Sequence, residues 1–178
     1  MDRALSHPVP EKLLAHIGDI TVSFALLQST VQLLIGSLIA EHQRVGQIIT
    51  AELAFRNLRA LAISLYKERH GEDPHFAVLR NLMRRAAQLE EARNQITHSV
   101  WGAGNTRDTI TRVKSTAKEK HGFKSHFENI GESNLAEVAN GLKLLAGEVL
   151  ALWTSLIDAG KAVNNPFEKT WGSTNHAV

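Results

Sequence analysis

From Leu13 onward apolar residues recur in alternating steps of four and three: Leu13, Ile17, Ile20, Phe24, Leu27, Val31, Leu34 and Leu38. That spacing keeps one stripe on one side of an α-helix. With Pro8 and Pro10 just ahead, it predicts a first helix from Glu11 to about Ala40. A break is expected over Glu41–Gly46. A second stripe, Ile48, Ala51, Phe55, Leu58, Ala62 and Leu65, then predicts a helix from about Gln47 to Arg69. The run His70-Gly71-Glu72-Asp73-Pro74 stops that helix and starts the next, with Gly for the C-cap, Asp for the N-cap and Pro at the first helical position. The third helix carries Leu79, Leu82, Ala86, Leu89, Arg93 and Ile96. A last helix opens at Ser133, with Leu135, Val138, Leu142, Leu145, Val149, Leu152, Leu156, Ala159 and Val163 on one side.

The stretch Gly102–Gly131 breaks the helical period. Thr109-Ile110-Thr111-Arg112-Val113-Lys114 alternates and is β-branched, which suits a short strand or hairpin arm. Ala117 and Lys118 suit a helix instead. Taken together, the pattern predicts an all-α fold: a single domain over 1–178, built as an antiparallel bundle of about four long helices. A short basic hairpin or loop insert at 102–131 precedes the last helix, and 1–10 and 164–178 are peripheral tails. A first helix of roughly thirty residues reaches about 45 Å. That is long for a 19.6 kDa bundle, so part of it is expected to pack on a second copy.

The 21 residues Ile20–Ala40 carry no formal charge, enough to span a bilayer. Gln28, Gln32, Thr21, Thr30 and three serines interrupt them, and the stripe defines one buried side, which lipid does not require. A core or interface helix is therefore expected, with no membrane involvement. The N-terminus shows neither the charged region nor the apolar run of a secretory signal. Cysteine is absent, which excludes disulfides, Cys-ligated zinc, iron–sulfur sites and thiol catalysis, and agrees with a cytoplasmic location. Net charge is only +2, so the distribution of charge says more than its total.

Most catalytic signatures are missing. There is no phosphate-binding P-loop, no H-E-x-x-H, no Glu-x-x-His pair of the kind that builds a di-iron bundle and no G-x-S-x-G elbow. The histidine pairs 70/75 and 121/126 are five residues apart and point to different helix faces, so neither a metal nor another cofactor is expected. What remains is the segment Leu89–Trp101. Arg93 stands where the stripe calls for an aliphatic side chain, and a charge drawn inward needs an anionic partner, protein or ligand. Glu91, Asn94, His98 and Trp101 follow at steps of three, four and three, as one polar-aromatic face. Asn94 and His98 are one turn apart, so the amide is placed to orient the imidazole.

Arg93-Asn94-x-x-x-His98, at the end of a helix, resembles the R-N-x-x-x-H motif of HEPN-domain ribonucleases. The resemblance rests on those six residues, with Trp101 and the helical layout as weaker support, and it does not extend to 102–131. It implies metal-independent RNA cleavage at a homodimer interface, two motifs forming one composite site. His98 would move the protons, Arg93 would hold the phosphate and Asn94 would position a base or backbone group. Many members are toxins or antiviral effectors, often held off by an inhibitory protein partner. One branch carries a tyrosine two residues after the histidine, which its antitoxin modifies; here Val100 stands there, so that control is not expected. A non-catalytic module of the same fold, binding RNA, a nucleotide or a protein, is the alternative.

A second basic feature accompanies the motif. Arg107, Arg112, Lys114, Lys118, Lys120 and Lys124 face only Asp108 and Glu119 in sequence, with Phe123, Phe127, His121 and His126 interleaved. Such a segment suits a lip that tracks RNA phosphates. Arg80, Arg84 and Arg85 form a further basic strip on the third helix.

Overall fold

The computed structural model describes residues 8–39, 43–106, 108–118 and 122–163. The long apolar stripes become helices α1 (Glu11–Ile39), α4 (Pro74–Thr97) and α5 (Glu132–Asp158). Their seams are the core: Leu13, Ile20, Leu27, Leu34, Leu38, Leu79, Ala86, Leu135, Leu142, Val149 and Leu156 are almost wholly buried. At about 25 cal/mol per Å2 of apolar surface, each fully buried Leu or Ile contributes roughly 1.5–3 kcal/mol. Helix α1 is long and apolar enough to cross a membrane, yet half of its most apolar window is buried in the fold.

Between α1 and α4 the chain makes two helices where the stripe predicts one: α2 (Gln43–Ala51) and α3 (Phe55–His70). The reason is a change of inward face. Phe55, Leu58 and Ala62 are buried as expected, but Ile48 is 69% exposed. Helix α2 turns Gly46 and Thr50 inward instead. A Cβ on Gly46 would stand 2.7 Å from the Gly36 Cα, so two glycines let α1 and α2 touch backbone to backbone. Thr50 Oγ1 donates back to the Gly46 carbonyl and the Thr50 carbonyl accepts from Gln32.

The all-α expectation is corrected by the segment after α4. It forms a three-stranded antiparallel sheet, β1 (Val100–Ala103), β2 (Thr109–Lys118) and β3 (Gly122–Gly131), in the order β1-β2-β3. Among the described residues the fold is thus mixed, five helices with one small sheet. Strand β2 pairs with β3 over its whole length, from Thr109 opposite Gly131 to Lys118 opposite Gly122. Cross-strand pairing overrides the helical preference of Ala117 and Lys118. Ile110 and Ile130, directly opposite each other, are the sheet's buried anchors.

The described residues form two compact units: one of residues up to Ala25 with Gln88–Lys143, the other of Leu26–Ala87 with residues from Leu144 on. In the first, α1 and α5 run the same way rather than antiparallel: His16 meets Glu132, and Asp19 binds Lys143 at 2.7 Å. In the second, α4 and α5 run antiparallel, as Arg85 meets Glu148 and His75 meets Ser155.

The α3–α4 turn follows the stop-and-restart signal closely. Gly71 closes α3 at φ 72°, a conformation that favours glycine. Asp73 caps α4, accepting from the Phe76 amide at 2.8 Å and from the buried Tyr66 hydroxyl at 3.0 Å, and it pairs with Lys161. Chiefly through the Lys161 ammonium, the Asp73 carboxyl is held far below the usual carboxylate range. Asp73→Ala is expected to lower stability at neutral pH by about 2 kcal/mol, since it removes a cap and leaves a buried hydroxyl without its acceptor. The native carboxyl has the lower pKa, so its contribution is complete above the unfolded value near ~3.9 and fades as pH falls below it. Urea denaturation of the two proteins should therefore show a gap that is constant from neutral pH to about 4 and narrows in stronger acid.

Candidate nucleic-acid interface

Helix α4 ends at Thr97, and the chain turns at once into β1. Arg93, Asn94 and His98 thus sit at the last turn of α4 and its exit. Helix polar groups tie this end to the sheet. Gln95 donates to Glu91 at 2.7 Å and accepts from Arg112 Nη1 at 2.9 Å, while the other arm of Arg112 pairs with Glu128 across the strands. The Trp101 indole donates to the Ile96 carbonyl at 3.1 Å, satisfying one of the orphan acceptors at the helix end. Trp101 therefore belongs to β1 and caps α4; it is not the next step of a helical face with Glu91, Asn94 and His98.

Arg93 is half-buried, and its guanidinium lies over the Phe24 ring, 4.8 Å from the centroid. Its Nη1 donates to Asn94 Oδ1 at 3.0 Å, and its buried Nε meets no acceptor. No ion pair with a carboxylate forms among the described residues. A cation–π contact is worth roughly 0.5–2 kcal/mol, which orients a guanidinium without neutralising it. The guanidinium is drawn partly inward, and no carboxylate among the described residues neutralises it.

Asn94 is engaged by Arg93, not by the imidazole. Its only tie to His98 is the backbone bond from the His98 amide to the Asn94 carbonyl, 3.1 Å. His98 is exposed, and its ring makes no hydrogen bond or ion pair among the described residues. The expected amide–imidazole contact is therefore replaced by an Arg–Asn contact one residue apart, with the imidazole free to meet a ligand. Among the described residues no cluster of three or more metal-ligating side chains occurs.

The basic lip is a ribbon. Strand β1 covers only Ile110–Val113 of β2, and beyond it β2 and β3 continue as a two-stranded arm. Side chains alternate across such an arm. Val113 lies opposite Phe127, and Ser115 bonds Ser125 at 3.1 Å on the same face as Phe123. Phe123 and Phe127 are 72% and 65% exposed. The other face carries Lys114, Lys124 and His126, all exposed. Of the remaining expected phosphate contacts, Arg112 is spent on Glu128 and Gln95. Lys118 lies at the end of β2 with its side chain outside the description, and Arg107 and Lys120 lie outside the described residues. Phe24 was legible only as part of the α1 seam; nothing in the sequence marks it as the platform under Arg93.

No family model, curated protein or solved structure matches this chain.

Proposed function

We propose that this chain is a metal-independent endoribonuclease of the HEPN type, acting as a cytoplasmic homodimer with a composite Arg93/His98 site. The observation that carries the reading is the half-buried Arg93 guanidinium, with no carboxylate paired to it among the described residues and an unbonded imidazole five positions on. Arg93 holds a phosphate and stabilises the charge that grows on the pentacoordinate phosphorus. His98 takes the proton from a ribose 2′-hydroxyl or delivers one to the departing 5′-oxygen. Asn94 fixes the guanidinium. One imidazole cannot serve both transfers in the same turnover, so the second His98 comes from a second copy. Lys114 and Lys124 attract the strand, and Phe123 and Phe127 offer it stacking faces, worth about 1–3 kcal/mol per base. A toxin or antiviral effector, restrained by an inhibitory protein, is the role that this activity fits.

A second reading has one observation in its favour. Arg93 is already seated on Phe24 and Asn94, as an anchoring ion in a non-catalytic RNA-, nucleotide- or protein-binding module would be. Incubating the purified protein with single-stranded RNA in excess EDTA, beside a light-scattering mass, separates the two. Cleavage by a dimer is expected; a monomer that binds RNA and never cuts it supports the module.

A further inference from the structure

The cleft between α3 and α4 holds a charge cluster that the Arg93–His98 reading does not use. Its walls carry Arg56 and Arg59 from α3 and Arg80 and Arg84 from α4, over an apolar floor that includes Ile63 and Met83. The volume is about 670 Å3, within the ~300–1,000 Å3 of ordinary ligand sites. Among the described residues no carboxylate lines it. Among the described residues Arg56, Arg80 and Arg84 form no ion pair, whereas neighbouring Arg85 is held by Glu148 through a bond of 2.8 Å. Glu72, whose charge reaches Arg80, is itself paired with Lys67 at 2.6 Å. Two of the four guanidinium groups are set in place by aromatic rings: Arg59 over Phe55 and Arg80 over Phe76, each at 5.8 Å.

Like charges gathered in one cleft, Arg56, Arg80 and Arg84 without an ion pair among the described residues, repel each other, and soluble surfaces ordinarily intersperse the two signs. An anion removes that repulsion. We propose that this cleft binds the phosphodiester backbone of single-stranded RNA; only the choice of RNA over DNA rests on the nuclease reading. Arg80 and Arg84 are one turn apart, about 6 Å along the helix. They therefore present separate forks, each able to take two phosphate oxygens. A row of forks on two helices suits successive phosphates of a strand better than one compact anion. Ile63 and Met83 supply an apolar seat for a ribose or a base face.

The test uses the full chain carrying His98→Ala, so that the strand stays whole, and fluorescein-labelled oligouridylate read by anisotropy. Adding Arg56→Gln and Arg84→Gln is expected to weaken binding by about tenfold or more and to lower the salt slope by about 1.4, the share of two phosphate contacts on a single strand. Both side chains are exposed, so circular dichroism and the urea midpoint should not move. Arg85→Gln is expected to leave affinity unchanged. An unchanged affinity and salt slope in the double variant overturns the proposal. Tight binding of ATP to the parent protein, lost in the double variant while RNA affinity is kept, overturns it in favour of a free nucleotide. RNA held through this cleft but never cut by the native protein removes the nuclease reading and leaves the cleft standing. Cutting that ignores Arg56 and Arg84 does the reverse.

Discussion

His98→Ala is expected to abolish RNA cleavage, lowering the rate by roughly 10²–10⁴-fold, and to leave the fold intact. The two halves of that expectation have separate grounds. The loss follows because the exposed imidazole at the exit of α4 can both accept and donate a proton, as cleavage requires. The intact fold follows because the ring is exposed and bonds nothing among the described residues; only its amide takes part in the helix end, and alanine keeps that amide. Cleavage rate on single-stranded RNA, read beside the urea midpoint, checks both. A variant that cuts as fast as the parent removes His98 from the chemistry. If cleavage and midpoint fall together, the imidazole is structural after all.

Arg93→Met should separate charge from packing in the same way. Methionine keeps an unbranched apolar stem against Phe24 while removing the cation. A partly buried charge without an acid partner contributes little net stability, and apolar replacements of buried ions are often neutral or stabilising. The expected stability change is therefore within about 1 kcal/mol. Cleavage should still fall by about 10²–10³-fold, the usual cost of removing one donor to a developing oxyanion. Arg93→Lys keeps the charge but not the planar fork, and is expected to restore only part of the activity. A loss of several kcal/mol in Arg93→Met, with activity tracking the folded fraction, would mean that the arginine serves the core alone.

The helical half of the fold was legible because burial imposes a period. The seams of α1, α4 and α5 were written in aliphatics at steps of three and four, and the Gly71–Asp73–Pro74 punctuation marked a turn that the structure keeps. Two features escaped for physical reasons. The α2–α3 break is not announced by a proline; it arises where Gly46 packs on Gly36 and shifts the buried face, a contact visible only once α1 is in place. Strand β3 reads as Phe-Lys-Ser-His-Phe-Glu-Asn-Ile, and of these only Ile130 is buried. Phe123 and Phe127 do alternate with Lys124, His126 and Glu128, but Ser125 and Asn129 interrupt the apolar row and, Ile130 apart, neither face is buried, so the period was too weak to mark a strand. At the site, the misplacement of Arg93 among aliphatics was legible because a charge on a core stripe breaks the pattern. Its seat on Phe24 was not, since it depends on how α1 and α4 meet, and its bond to Asn94 joins adjacent residues where helical spacing favours a contact with His98 instead.

The most direct measurement is the chemistry of the ends left on RNA by the native protein in EDTA. Attack by a 2′-hydroxyl, driven by an imidazole and an arginine, leaves a 2′,3′-cyclic phosphate and a free 5′-hydroxyl, and these are the expected termini. Fragments bearing 5′-phosphates, or RNA that stays whole at every protein concentration tried, would contradict the account.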